Sequence, residues 1–174
     1  VAFALIVNVR TINYEYTLDD TFFTKDNPFV KQGISSLKDV YTHAAYYGVF
    51  KNHDASYRPF LLTSFAIEKE IFGFEPKVSH IVNLILFGLL LAALFLLLRR
   101  LFREYSPFIP FFIVLLFTVH PIHTEVVASI KSRDEIMALL FSCLCLTQSI
   151  KFADTDNKKN LILCLLYTSD AADD

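Results

Sequence analysis

Three short stretches of this chain carry side chains able to do chemistry. Leu18-Asp19-Asp20 sets two carboxylates side by side. Adjacent carboxylates repel, so when desolvated at least one holds its proton more tightly. A carboxylate at a membrane rim can act as a general base, a role worth about 10²–10⁴ in rate. Thr17-Leu18-Asp19-Asp20 also matches a capping box, so a helix start is the competing reading. His120-Pro121-Ile122-His123-Thr124-Glu125 gathers two imidazoles and a carboxylate, a set that can ligate a metal. Pro121 splits the histidines, which argues against a simple helical ligand pair; the alternative is a polar helix end bonding to backbone. Lys131-Ser132-Arg133-Asp134-Glu135 puts two cations beside an apolar run, which suits a phosphate group. Ser132 with Glu135 three residues on also fits a helix cap, and Glu135 can cap while Arg133 binds. Smaller signals are Tyr57-Arg58-Pro59, and His80 with Asn83 one turn apart on an apolar helix.

The elements that must position these residues are membrane helices. The chain has 174 residues, 54% hydrophobic and 20% charged, against about 25% charge in a soluble domain. The charges are segregated: residues 78–98 contain no Asp, Glu, Lys or Arg, while residues 13–77 are rich in them. This excludes a uniform soluble globule, and 18 Phe with 8 Tyr exclude disorder. A net charge of −2 gives no reason to expect nucleic acid. Cys143, Cys145 and Cys164 all sit in apolar runs and read as small buried residues, not as a disulfide frame or zinc site.

Spans are expected at about 1–12, 78–98, 107–119, 135–151 and 160–166, with an outer loop over 13–77. Val78–Leu98 is the secure one, about 31 Å of helix for a hydrocarbon core of about 30 Å. Phe108–Val119 is short, with Pro107 and Pro110 at its start, and reads as a short packed span or a re-entrant segment. Ile136–Ile150 is the third apolar helix. Arg99, Arg100 and Arg103 follow the secure span and Lys151, Lys158 and Lys159 follow the third, so both ends are assigned to the cytoplasm. Residues 13–77 and 120–134 then lie outside, and all three chemical clusters with them.

Two helices are expected in the outer loop, both lying at the membrane surface. One starts at Ser36-Leu37-Lys38-Asp39, presents Leu37, Val40, Tyr41 and Ala44 as a stripe, and stops at Gly48. The other runs from Pro59 to near Gly73. The chain opens inside an apolar run, Val1–Val7, read as the end of a truncated first span; no basic region supports a signal peptide there. Its end, 167–174, reads as a non-native tail, so 1–166 is taken as a fragment of something longer.

With these residues placed, the chain resembles the GT-C glycosyltransferases of the protein O-mannosyltransferase group, in the branch that carries tetratricopeptide repeats after the membrane region. The matching strings are Leu18-Asp19-Asp20, Asp26-Asn27-Pro28-Phe29-Val30, Tyr57-Arg58-Pro59, Val78-Ser79-His80-Ile81-Val82-Asn83, His120-Pro121-Ile122-His123-Thr124-Glu125-Val126-Val127 and Ser132-Arg133-Asp134-Glu135. The resemblance implies a GT-C-like, all-α integral membrane fold, here truncated. It also implies inverting transfer of a sugar from a polyprenyl-phosphate donor to a hydroxyl of a protein or glycan, on the outer or lumenal face.

On this resemblance Asp19 is the first choice for the catalytic base and Asp20 the second. Arg133 is the first choice for holding the donor phosphate, then Arg58 and Lys131. Asp134 and Glu125 are expected to orient substrate, with His120 and His123 in the same binding set. No metal or cofactor is expected, although the His-Glu cluster keeps a divalent ion open. Membrane lipid is the expected surrounding, in a bacterial inner membrane ahead of an endoplasmic reticulum membrane. The alternatives are a non-catalytic scaffold and a transporter-like subunit; Leu84–Leu98, apolar throughout except Gly88, counts against the transporter.

Overall fold

The computed structural model describes residues 2–50 and 57–171, and every regular element among them is helical. α1 (Ala2–Asn8) runs into a 3-10 turn, Val9–Asn13. A layer of short helices follows: α2 (Leu18–Phe23), α3 (Pro28–Gln32), α4 (Leu37–Val40), α5 (Tyr47–Phe50) and the longer α6 (Pro59–Phe72). The bundle comprises α7 (Pro76–Leu101), α8 (Phe108–Val119), α9 (Ile122–Ala128), a 3-10 turn Ile130–Ser132, α10 (Arg133–Thr155) and α11 (Lys158–Ala171). Of the tail read as non-native, 167–171 continue α11 and 172–174 lie outside the described residues.

α7 and the stretch Ile130–Thr155 are long and apolar enough to cross a membrane, and α8 with α9 forms a third candidate bent by 67°. α7 and α10 run parallel. Their starts meet where Arg133 donates to Ser79 O at 3.0 Å and to Asn83 Oδ1 at 2.7 Å, and their last turns meet where Arg100 pairs with Asp154 at 3.0 Å. Two parallel helices require the chain between them to travel back, and α8 with α9 is that return. The two basic clusters therefore sit at one end of the bundle and the short-helix layer at the other.

Two cores follow from this division. Leu84, Phe87, Leu91, Leu97, Ile136 and Leu140 form the bundle core, with Ala4 and Ala93 buried among them. Lipid tails are as apolar as leucine, so this core is held by close packing around small residues and not by escape from water. Ile81, Ile85, Leu89 and Leu96 form the exposed side of α7, the face such a helix turns to lipid. The second core joins Phe23, Val30, Val40, Leu61, Leu62 and Phe65 with Ile130 from the bundle side. Here burial from water drives packing, at about 1.5–3 kcal/mol for each large side chain.

α6 starts at Pro59, as expected, and ends at Gly73, whose φ of +76° reverses the chain. Leu61, Leu62 and Phe65 face the second core, while Phe60, Ile67 and Ile71 form an exposed apolar side. The expected helix from Ser36 to Gly48 does not form. α4 is a single turn, and Gly48 lies inside α5 instead of ending a helix. Side-chain hydroxyls bond to nearby carbonyls on both sides of this turn. The Thr42 hydroxyl donates to Lys38 O at 2.9 Å, and the Ser36 hydroxyl turns back to Gly33 O at 2.9 Å instead of capping α4.

Gly33 (φ +70°, ψ −146°) and Gly73 (φ +76°, ψ −164°) both occupy backbone space open essentially only to glycine. A Cβ on Gly33 would also touch the Glu70 carboxylate, an exposed side chain free to swing aside; one on Gly73 would meet nothing within 4 Å. Gly33→Ala and Gly73→Ala are therefore expected to cost about the same, about 1–3 kcal/mol each. Apparent melting temperatures of the two variants in detergent measure this. A clearly larger drop at Gly33 would show that Glu70 cannot move.

Candidate active site

The end of the bundle under the short-helix layer holds a groove of about 670 Å³, lined by Tyr14, Thr17, Asp19, Glu125, Ala128, Ser129 and Lys131. Two segments far apart in sequence meet here: the chain from the first 3-10 turn into the start of α2, and the passage from α9 to α10.

The start of α2 holds the acidic pair, and its two members are in different surroundings. Asp20 is 1% exposed. Its Oδ2 accepts from the Thr17 N–H at 3.0 Å and the Thr17 hydroxyl at 2.7 Å, which is the capping box read from the sequence. Its Oδ1 accepts the Lys131 backbone N–H at 2.9 Å. Asp19 points into the groove with its side chain 53% exposed and pairs with the Lys131 ammonium. The 3-10 turn Ile130–Ser132 is thus tied to α2 twice, through backbone by Asp20 and through side chain by Asp19.

Arg133 does not face the groove. It is fully buried, and its guanidinium is spent inside the protein. Nε donates to Asn83 Oδ1, Nη1 to Ser64 Oγ at 2.9 Å and Glu68 Oε1 at 2.6 Å, and Nη2 to Ser79 O at 3.0 Å. The guanidinium also lies over the Phe65 ring at 4.4 Å. Glu68 Oε2 accepts from Ser79 Oγ at 2.7 Å, and Asn83 Nδ2 donates to Ser129 O at 3.3 Å. One buried ion pair therefore joins α6, α7 and α10. Beside it Tyr16, 3.4 Å from Ser79 Oγ, has its phenol pushed up by burial, so it stays neutral at ordinary pH.

The other expected residues are dispersed. Arg58 precedes α6 and pairs with Asp134 in the first turn of α10 at 2.8 Å, so this cation and this acid neutralise each other. The expected cap by Ser132 is not made; Asp134 Oδ1 accepts the Glu135 N–H at 3.0 Å instead. His123 stacks on Phe117, ring centroids 4.0 Å apart, and lies 5.9 Å from the His120 ring. His120 Nδ1 accepts the Ile122 N–H at 3.3 Å across the α8–α9 bend. Among the described residues no three His, Cys, Asp or Glu side chains converge as a metal would need. Glu125 alone of that cluster reaches the groove. His80 is buried with its ring edge-on to Tyr14 at 6.1 Å. Cys143 points into the bundle core, and Cys145 points toward Cys164 of α11, Sγ to Sγ 2.6 Å.

Glu68, Ser64 and Ser79 are the residues that sequence reasoning missed. The signal was present: Leu61, Phe65 and Glu68 fall at i, i+4 and i+7, so Glu68 lies on the buried stripe of α6 and needs a partner.

No family model matches the chain. No solved structure matches it. Curated relatives do. Protein O-mannosyl-transferase TMTC1 of Homo sapiens is 32% identical over 138 residues, covering 78% of this chain and 15% of the relative. Protein O-mannosyl-transferase TMTC2 of Homo sapiens is 30% identical over 166 residues, covering 88% and 18%. Protein O-mannosyl-transferase F38B6.6 of Caenorhabditis elegans is 27% identical over 172 residues, covering 97% and 24%. The chain thus spans between 15% and 24% of the length of these relatives. A helical membrane chain matched over most of its length by proteins of one name is, by sequence, a relative of the protein O-mannosyl-transferases of the TMTC group.

Proposed function

We propose that this chain forms part of a membrane glycosyltransferase that moves a sugar from a polyprenyl-phosphate donor to a protein hydroxyl on the outer or lumenal face. The observation that carries this reading is the Asp19–Lys131 ion pair, which lines one open groove. The names of the relatives favour mannose and a protein acceptor. Bonds and charges balance without a cofactor. The acceptor hydroxyl oxygen attacks the anomeric carbon from the face opposite the phosphate. The carbon–oxygen bond to phosphate breaks and its electron pair leaves with the lipid phosphate. The hydroxyl proton passes to Asp19.

In the free protein Lys131 pairs with Asp19. A bound phosphate offers Lys131 a stronger partner, so donor binding draws the ammonium away and frees the carboxylate to act as base. Lys131 takes the phosphate-holding role in this proposal because Arg133 is committed to Glu68 and Arg58 to Asp134. Glu125, which lines the same groove, is placed to orient sugar hydroxyls. The groove's volume lies within the usual range for a small-molecule site. The membrane is proposed to be a bacterial inner membrane, or an endoplasmic reticulum membrane as the animal origin of the relatives favours.

The test is donor choice. Purified full-length protein in lipid nanodiscs is offered labelled mannose on a polyprenyl phosphate or on a nucleotide, with protein acceptors. Label is expected to reach protein from the lipid donor alone. Transfer only from the nucleotide sugar would overturn the donor assignment, and transfer from neither would favour a scaffold.

A further inference from the structure

We infer that Asp20 is a positioning residue, whose carboxylate holds the Lys131 backbone so that the Lys131 ammonium stands opposite Asp19. This rests on the reading of Lys131 as the phosphate-holding cation. Asp20 cannot itself reach a substrate hydroxyl: it is buried, and both oxygens are occupied by donors from within the chain. Those donors come from both sides of the groove. Thr17 belongs to the segment that carries Asp19, and Lys131 lies 111 residues later.

The turn that Asp20 grips is held firmly elsewhere. Asn83 bonds Ser129 O just before it, Ile130 is buried in the second core, and Arg133 anchors the residue just after it. The Asp20 bond sets the height of the Lys131 backbone against α2. Every group facing the Asp20 carboxylate is a donor, so an asparagine amide there would turn an N–H onto an N–H or O–H. Asp20→Asn keeps the size of the side chain and reverses one of these contacts. Displacement of a positioned group by about 1 Å costs about 10²-fold in rate.

The experiment is a double-mutant cycle in the full-length protein, read as mannose transfer from the polyprenyl-phosphate donor. Lys131→Ala is expected to lower transfer about 10²–10³-fold, the loss typical of one removed charge-stabilising donor. Asp20→Asn is expected to lower it about 10²-fold alone, and less than twofold further when Lys131 is already alanine. Losses that multiply would overturn the inference while leaving Lys131 in its role. Full transfer by Lys131→Ala would overturn the role of Lys131 and the inference with it. A second measurement needs no activity. Cysteines placed at 19 and 131 are expected to cross-link with Asp20 present and several-fold less in Asp20→Asn or Asp20→Glu. Equal yields would overturn the inference.

Discussion

Asp19→Asn in the full-length protein is expected to lower the turnover of sugar transfer about 10²–10⁴-fold, the usual contribution of a general base. Asparagine keeps the shape of the side chain and its place on α2, and the Asp20 capping box is untouched, so the fold is expected to persist. What disappears is the group that receives the acceptor's proton. The donor should bind at least as well as in the wild type, because Lys131 no longer has to leave a carboxylate to reach phosphate. The signature is a collapsed kcat with an unchanged or lower KM for the lipid-linked sugar. Unchanged kcat in Asp19→Asn would remove this residue from the chemistry and leave Glu125 as the acid facing the groove.

Arg133→Met is expected to have the largest effect on stability. Arg133 is 0% exposed and Glu68 8%. Removing one member of a buried ion pair leaves the other uncompensated and typically costs about 3–5 kcal/mol. The loss should appear as a lower apparent melting temperature and less monodisperse protein in detergent. Arg133→Met combined with Glu68→Leu is expected to recover much of it, since the pair is then replaced by apolar groups of similar volume. Lysine is not a substitute, because one ammonium cannot reach the four partners that the guanidinium fork serves on α6 and α7. If Arg133→Met alone were as stable as wild type, the network would be dispensable for holding the three helices together.

The sequence made some of this legible and hid the rest for physical reasons. Long-range composition was easy to read: Val78–Leu98 is apolar without a break, and the helix that contains it is α7. Local punctuation was also legible. Pro59 and Gly73 bracket α6, Phe108–Val119 is the observed α8, and Thr17 with Asp20 forms the expected capping box. The helix expected over Ser36–Gly48 failed because its apolar stripe is only four residues deep and Ser36 and Thr42 compete for backbone carbonyls. Arg133 was harder. A cation beside a span reads the same whether it faces a phosphate or a buried glutamate, and only the position of Glu68 on the inner stripe of another helix decides between them. The separation of Asp19 from Asp20 was legible only as far as the capping box, which gave Asp20 a structural partner in Thr17. The chain order places them together, and the arrival of Lys131 from 111 residues away gives one carboxylate to the interior and leaves the other in the groove.

The bend between α8 and α9 has a consequence for the bilayer itself. α8 has 12 residues, about 18 Å of helix, and the hydrocarbon is about 30 Å deep. The chain breaks at His120-Pro121 and turns by 67°. Irregular backbone is not tolerated against lipid tails, so this flank must be met by water, by headgroups drawn inward or by other protein. Where headgroups fill the bend, the bilayer beside it would thin by part of the roughly 12 Å that α8 alone leaves uncovered. A lipid headgroup at such a dimple would sit lower than in the surrounding sheet. A sugar tethered to such a headgroup would approach Lys131 from the side, at its own depth, without its tail being lifted out of the bilayer.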